Sequence, residues 1–299
     1  MKHKLSTTLL LLGMFLATQF IGLFVVNYYS NVELPYGLQA PENEASSNFI
    51  SIIFSFILAI VVISLLMKYK WKSVIKVWFL FVVCLALAIS VNAIFGTIGI
   101  SGAFIYSIIF AAPLAILKIF KPNFYTHNLT ELLIYPGIAC VFIPILTPIS
   151  AAILLVLISI YDMWAVWKSG LMQKMANFQM NEMKIFGGFL IPSATDKVKA
   201  SIEKVKQKYK NKKIPDSVRN KKYKVNLAIL GGGDVIWPII TGGVFLRAYG
   251  WIPTIMIMFG ALTGLTFLFS IIKKGKSYPA MPYISVGIFL SLLIWKLFF

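Results

Sequence analysis

Apolar runs of bilayer-spanning length recur along this 299-residue chain, and a water-soluble fold has no place for them. A helix needs about 20 predominantly apolar residues to cross the hydrocarbon core, because each residue rises only ~1.5 Å. Runs that meet or approach this length fall at 8–28, 49–67, 74–95, 97–117, 132–146, 149–167, 225–244, 252–272 and 281–297. The first follows Lys2 and Lys4 and lacks a small-x-small cleavage pattern, so it reads as a retained anchor rather than a signal peptide. Pro136, Pro144 and Pro148 blur the boundary between the fifth and sixth runs. Hydrophobic residues make up 59% of the chain and charged residues 13%, against about 25% charged in a soluble domain. The expected fold class is an all-α integral membrane protein with nine transmembrane helices.

Loop charge predicts the orientation. Lys2 and Lys4 precede the first run, and Lys68, Lys70, Lys72 and Lys76 lie between the second and third. Lys118 and Lys121 follow the fourth, and Lys273, Lys274 and Lys276 separate the eighth from the ninth. The intervening loops are acidic or neutral apart from Arg247. Basic loops stay in the cytoplasm, which predicts a multi-pass cell-membrane protein with its N-terminus cytoplasmic and its C-terminus outside. Three parts follow: residues 1–167 with six spans, a basic linker at 168–224, and residues 225–299 with three. The linker holds fifteen Lys and Arg residues and a short apolar patch at 185–191. Its Lys-rich half reads as a solvated segment lying on anionic headgroups of the bilayer. The net charge of +18 is thereby explained without a nucleic-acid partner. Cys84 and Cys140 sit in apolar runs and read as small hydrophobes. His3 and His127 fall outside the runs, so neither a metal nor another cofactor is expected.

Ten acidic residues are present, and only Asp162 and Asp234 lie well inside apolar runs. An intramembrane carboxylate is costly and marks function by default. Asp162 is six residues from Lys168, about 9 Å by helical rise, and Asp234 is ten from Lys224, roughly 15 Å. Both therefore fall in the cytoplasmic half of consecutive antiparallel spans and can meet. Two carboxyls meeting in a poorly solvated site share a proton, so one can activate water while the other polarises a peptide carbonyl. Gly231, Gly232 and Gly233 remove side chains just before Asp234, so that an unwound substrate backbone could lie there as an added strand. These features alone equally admit a proton-coupled transporter with the aspartate pair as its relay. A non-catalytic scaffold is the third class.

Pro279-Ala280-Met281 stands at the cytoplasmic mouth of the ninth run. Tyr161-Asp162, Gly231-Gly232-Gly233-Asp234 and Pro279-Ala280-Met281 resemble, in order and placement, the YD, GxGD and PAL motifs of the presenilin and signal peptide peptidase family of intramembrane aspartyl proteases. Met281 stands where that family's motif has leucine, a volume-conserving change. The resemblance implies a presenilin-like nine-helix fold and a catalytic pair of Asp162 and Asp234. It further implies that Tyr161, the three glycines and Pro279 to Met281 shape the site, and that transmembrane-helix proteins or peptides are the substrates. The compact size resembles archaeal homologues, which implies activity without accessory subunits. Gly99-Ile100-Ser101-Gly102 matches the serine motif of rhomboid proteases, but a serine needs a base within reach, and neither histidine is expected near it.

Overall fold

The computed structural model describes residues 5–38, scattered residues between 51 and 69, and residues 71–169, 179, 185–193, 226–272 and 278–298. Helices α1 (Leu5–Tyr29), α2 (Lys72–Ile98), α3 (Ala103–Phe120), α4 (Phe124–Phe142) and α5 (Pro148–Trp164) lead to a two-stranded sheet, β1 (Gly188–Ser193) and β2 (Asn226–Gly231). Helices α6 (Gly232–Tyr249), α7 (Trp251–Ile271) and α8 (Met281–Phe298) follow. The described residues between 51 and 66 are helical and coincide with the second apolar run. Seven of the described helices are long and apolar enough to cross a membrane; α6, with its glycines, Asp234 and Arg247, is not among them. Much of the charge that predicts the orientation lies outside the described residues, including Lys2, Lys4 and the stretch 197–224.

The helical membrane architecture is as expected, and a small sheet is added to it. Residues 226–231, read as the start of the seventh span, form a strand, and α6 begins only at Gly232. Three successive glycines weaken helix initiation by roughly 1 kcal/mol each relative to alanine, and β1 offers Asn226–Gly231 a partner. Asp234 therefore occupies the first turn of α6 rather than a position several turns inside a helix. The fifth span is also longer than expected. It starts at Phe124, so His127 and Glu131 lie within it, while Lys118 belongs to the last turn of α3. Polarity hid these roughly two turns, because their polar residues face protein rather than lipid. Pro136 is carried inside α4, Pro144 lies in a 3-10 turn, and Pro148 opens α5 behind a Thr147–Ser150 capping box.

Helix α6 sits at the centre and packs against α1, α4, α5, α7 and α8. Its residues from Val235 to Phe245 are buried almost without interruption, as a helix enclosed on every side requires. Lipid tails are as apolar as leucine, so close packing must hold such helices together. At the α7–α8 contact an added Cβ on Gly264 or Gly287 would strike the partner helix backbone, so small residues set that spacing. Gly99 and Gly102, with φ of 82° and 75°, form the tight turn between α2 and α3. The serine-protease motif is thus a connection that needs left-handed backbone at both glycines.

Candidate active site

Three chain segments converge where α5 ends and α6 and α8 begin. Asp162 lies in the last turn of α5, with its side chain in the protein (7% exposed). Asp234 is the third residue of α6 and is 9% exposed. The two carboxyls are within electrostatic reach of each other. Asp162 Oδ2 accepts the backbone N–H of Met281 at 3.1 Å, and the Ala280 amide faces the same carboxyl. Pro279, Ala280 and Met281 are all buried. Met281 contributes its amide here and its side chain to the core, a role any apolar residue of similar size can fill. Ser159 and Ser285, 2.8 Å apart, join α5 to α8 just below.

The glycines have three different surroundings. The Asp234 carboxyl folds back toward the Gly231 amide, as the third helical residue of a capping box does, and a Cβ on Gly231 would stand 3.0 Å from Oδ2. A Cβ on Gly232 would press on the Tyr135 ring at 3.0 Å. Gly233 is exposed and faces open space. Tyr161 is brought beside the site rather than into it: its ring is 40% exposed and leans on Trp164.

The sheet delivers its backbone to this point. β1 and β2 are antiparallel, with Gly188 opposite Gly231 and Ser193 opposite Asn226. Alternate residues of such a strand turn their N–H and C=O to opposite edges. On β1, side chains of α4 take the groups of Gly188 and Leu190. Asn128 Nδ2 donates to the Leu190 carbonyl at 2.9 Å, and the Leu190 amide donates to Asn128 Oδ1 at 3.0 Å. His127 Nε2 donates to the Gly188 carbonyl at 2.8 Å, and the Gly188 amide reaches Glu131 Oε1 at 3.4 Å. Phe189, Ile191 and Ser193 therefore face β2, which presents Leu230, Ala228 and Asn226 to them. The groups of Leu227, Ile229 and Gly231 point to the far edge, where no backbone bond is made among the described residues. That open edge ends at Gly231, against the Asp234 carboxyl.

Behind β1 lies a buried charge cluster that the sequence reading missed. Lys118 Nζ donates to Glu131 Oε1 at 2.6 Å, His127 Nδ1 at 3.3 Å and Thr130 Oγ1 at 3.4 Å, which uses all three ammonium hydrogens. Because Nδ1 accepts from lysine while Nε2 donates to a carbonyl, His127 is neutral with its proton on Nε2. Both ring nitrogens are occupied, so it is no base for Ser101. The signal for this cluster was available in the i, i+4 spacing of His127 and Glu131 and in the nearby Lys118. Tyr135 and the Ser159–Ser285 pair carried no such signal.

The family profile described as signal-peptide peptidase, presenilin aspartyl protease matches residues 12–299. A solved structure of a presenilin family intramembrane aspartate protease in space group C222 matches over 97% of this chain and 98% of its own, with 18% identity and a TM-score of 0.61. One in space group P2 matches over 96% of each chain, with 20% identity and a TM-score of 0.58. At such identities the likeness speaks to the fold. No curated protein sequence matches the chain significantly. The family profile covers nearly the whole chain, and this multi-pass membrane protein belongs to the signal-peptide peptidase and presenilin family, the aspartic endopeptidases that cleave within the membrane.

Proposed function

We propose that Asp162 and Asp234 are the catalytic pair, hydrolysing peptide bonds within the transmembrane helices of membrane-protein substrates. The observation that carries this reading is the meeting of two buried carboxyls from α5 and α6 within electrostatic reach, one of them held by the Met281 amide. With one proton between the two acids, the ionised carboxylate takes a proton from water as the water oxygen attacks the scissile carbonyl carbon. The protonated acid gives its hydrogen to the carbonyl oxygen, forming a tetrahedral diol. Transfer of a proton to the amide nitrogen then breaks the C–N bond and releases a new carboxyl and a new amine. Ala280 and Met281 orient Asp162 through their amides; Gly231 and Gly232 allow backbone to come close to Asp234.

A helical peptide bond is shielded by its own hydrogen bonds, so the substrate must be unwound first. The open edge of β2 can receive such a segment as a third strand and lead it to Asp234. Orientation follows from loop charge: the N-terminus is cytoplasmic, the C-terminus outside, and the preferred substrate helix has its N-terminus outside. The enzyme works without accessory subunits. The test is cleavage of a single-span reporter by purified protein in lipid, with Asp162→Asn and Asp234→Asn alongside. Each substitution alone is expected to abolish cutting while wild type cuts. A variant that cuts as fast as wild type would overturn the assignment.

A further inference from the structure

Tyr135 stands out as a buried polar group with nothing to bond. Its residue is 2% exposed, and its hydroxyl is the one buried side-chain oxygen without a hydrogen-bond partner among the described residues. Leaving a buried hydroxyl unpaired is unfavourable, and phenylalanine would fill the same space without that loss. The ring is well held, edge-on to Phe189 of β1 with centroids 5.5 Å apart. Its hydroxyl lies under the first turn of α6, where a Cβ on Gly232 would stand 3.1 Å from it. Two carboxyls act on the hydroxyl, Glu131 the more strongly and Asp234 second, and neither completes a hydrogen bond to it. Glu131 already accepts from Lys118 and the Gly188 amide, both on Oε1. Among the described residues, Asp234 has the Gly231 amide at its back and the Asp162 carboxyl within electrostatic reach.

That amide lies on the open edge of β2, where an incoming strand would compete for it. We propose that Tyr135 is a positioning residue, whose phenol donates to the Asp234 carboxyl when a docked substrate strand takes the Gly231 amide. The inference rests on the reading of Asp234 as catalytic. It accounts for the unpaired hydroxyl as a donor whose acceptor becomes available only in the complex. The exchange keeps Asp234 oriented at the moment its resting partner is withdrawn. No covalent change is involved, since one hydrogen bond replaces another.

The test is Tyr135→Phe in the purified full-length enzyme in lipid, with reporter kinetics and thermal unfolding measured together. A hydrogen bond to a charged group, lost only in the reacting complex, should lower kcat about ten- to a hundredfold. KM should stay within about twofold, and the midpoint of unfolding should be unchanged or higher. A hydroxyl-bearing transition-state analogue should bind the variant more weakly by a similar factor. Wild-type kcat in Tyr135→Phe would overturn the inference, as would a destabilised or unfolded variant, which would reveal a resting-state partner for the hydroxyl. Asp234→Asn separates the two readings: if it still cuts, the dyad assignment falls; if it is dead while Tyr135→Phe is normal, only the present inference falls.

Discussion

Replacing Lys118 by methionine should damage this protein more than replacing Lys118 and Glu131 together. The ammonium has three acceptors within 3.4 Å, and Glu131, 1% exposed, keeps among its described contacts the 3.4 Å amide of Gly188 and the neutral His127 ring at 3.7 Å once the lysine is gone. Stranding one member of a buried pair costs about 3–5 kcal/mol, whereas an apolar pair of similar volume is often neutral. Lys118→Met and Glu131→Leu should each lose stability in that range, and the double variant roughly 2 kcal/mol or less. The implied coupling is about 4 kcal/mol or more, above the usual upper end for contacting residues. Cys140, 3% exposed in α4, supplies the probe: its labelling by a thiol reagent in mixed micelles reports unfolding in a Cys84→Ser background. Cleavage should follow, because Glu131 and His127 hold Gly188 at the foot of the sheet. Additive losses in the double variant, within about 0.5 kcal/mol, would refute the account of Lys118 and Glu131 as one unit.

Other expectations are local. Asn128→Ala removes both bonds to Leu190, an effect of about 1–3 kcal/mol, so the Leu190 amide should exchange with deuterium about five- to a hundredfold faster while helix amides stay protected. Met281→Leu should keep cleavage within about twofold, the change being volume-conserving. Met281→Pro should reduce cleavage tenfold or more with the fold intact, since proline is accepted at a first helical position but cannot donate to Asp162. Gly264→Leu should fail in a different way, separating α7 from α8 and lowering the yield of folded protein, which size-exclusion chromatography would show.

The helical architecture was legible because a membrane span is written in length and polarity, which single residues cannot disguise. Asp162 and Asp234 were legible for the converse reason: a carboxyl among apolar neighbours contradicts its surroundings. The strand at Asn226–Gly231 was not, because the run from 225 to 244 has the length and apolarity of a helix and strand pairing depends on a partner far away in sequence. The polar turns of α4 were lost through the same logic that found the aspartates. A charge such as Lys118 or Glu131 near the end of a span reads as a loop residue unless the fold is known to neutralise it. Tyr161 was legible only through the motif it shares with Asp162, and its own ring leans on Trp164, beside the site.

The passage from strand to helix at Gly231 and Gly232 makes chain length, more than composition, the quantity that must be kept there. A strand advances about 3.3 Å per residue and flips its side chains by half a turn, while a helix advances 1.5 Å and rotates them by about 100°. Deleting one glycine would leave the sheet in register yet swing the Asp234 carboxyl by about 100° away from Asp162. Substituting Gly233, which faces open space, preserves that phase. On the proposed reading, the triplet is a spacer that sets the angular timing between a docking edge and a carboxyl, and a frame of one residue separates a working site from a silent one.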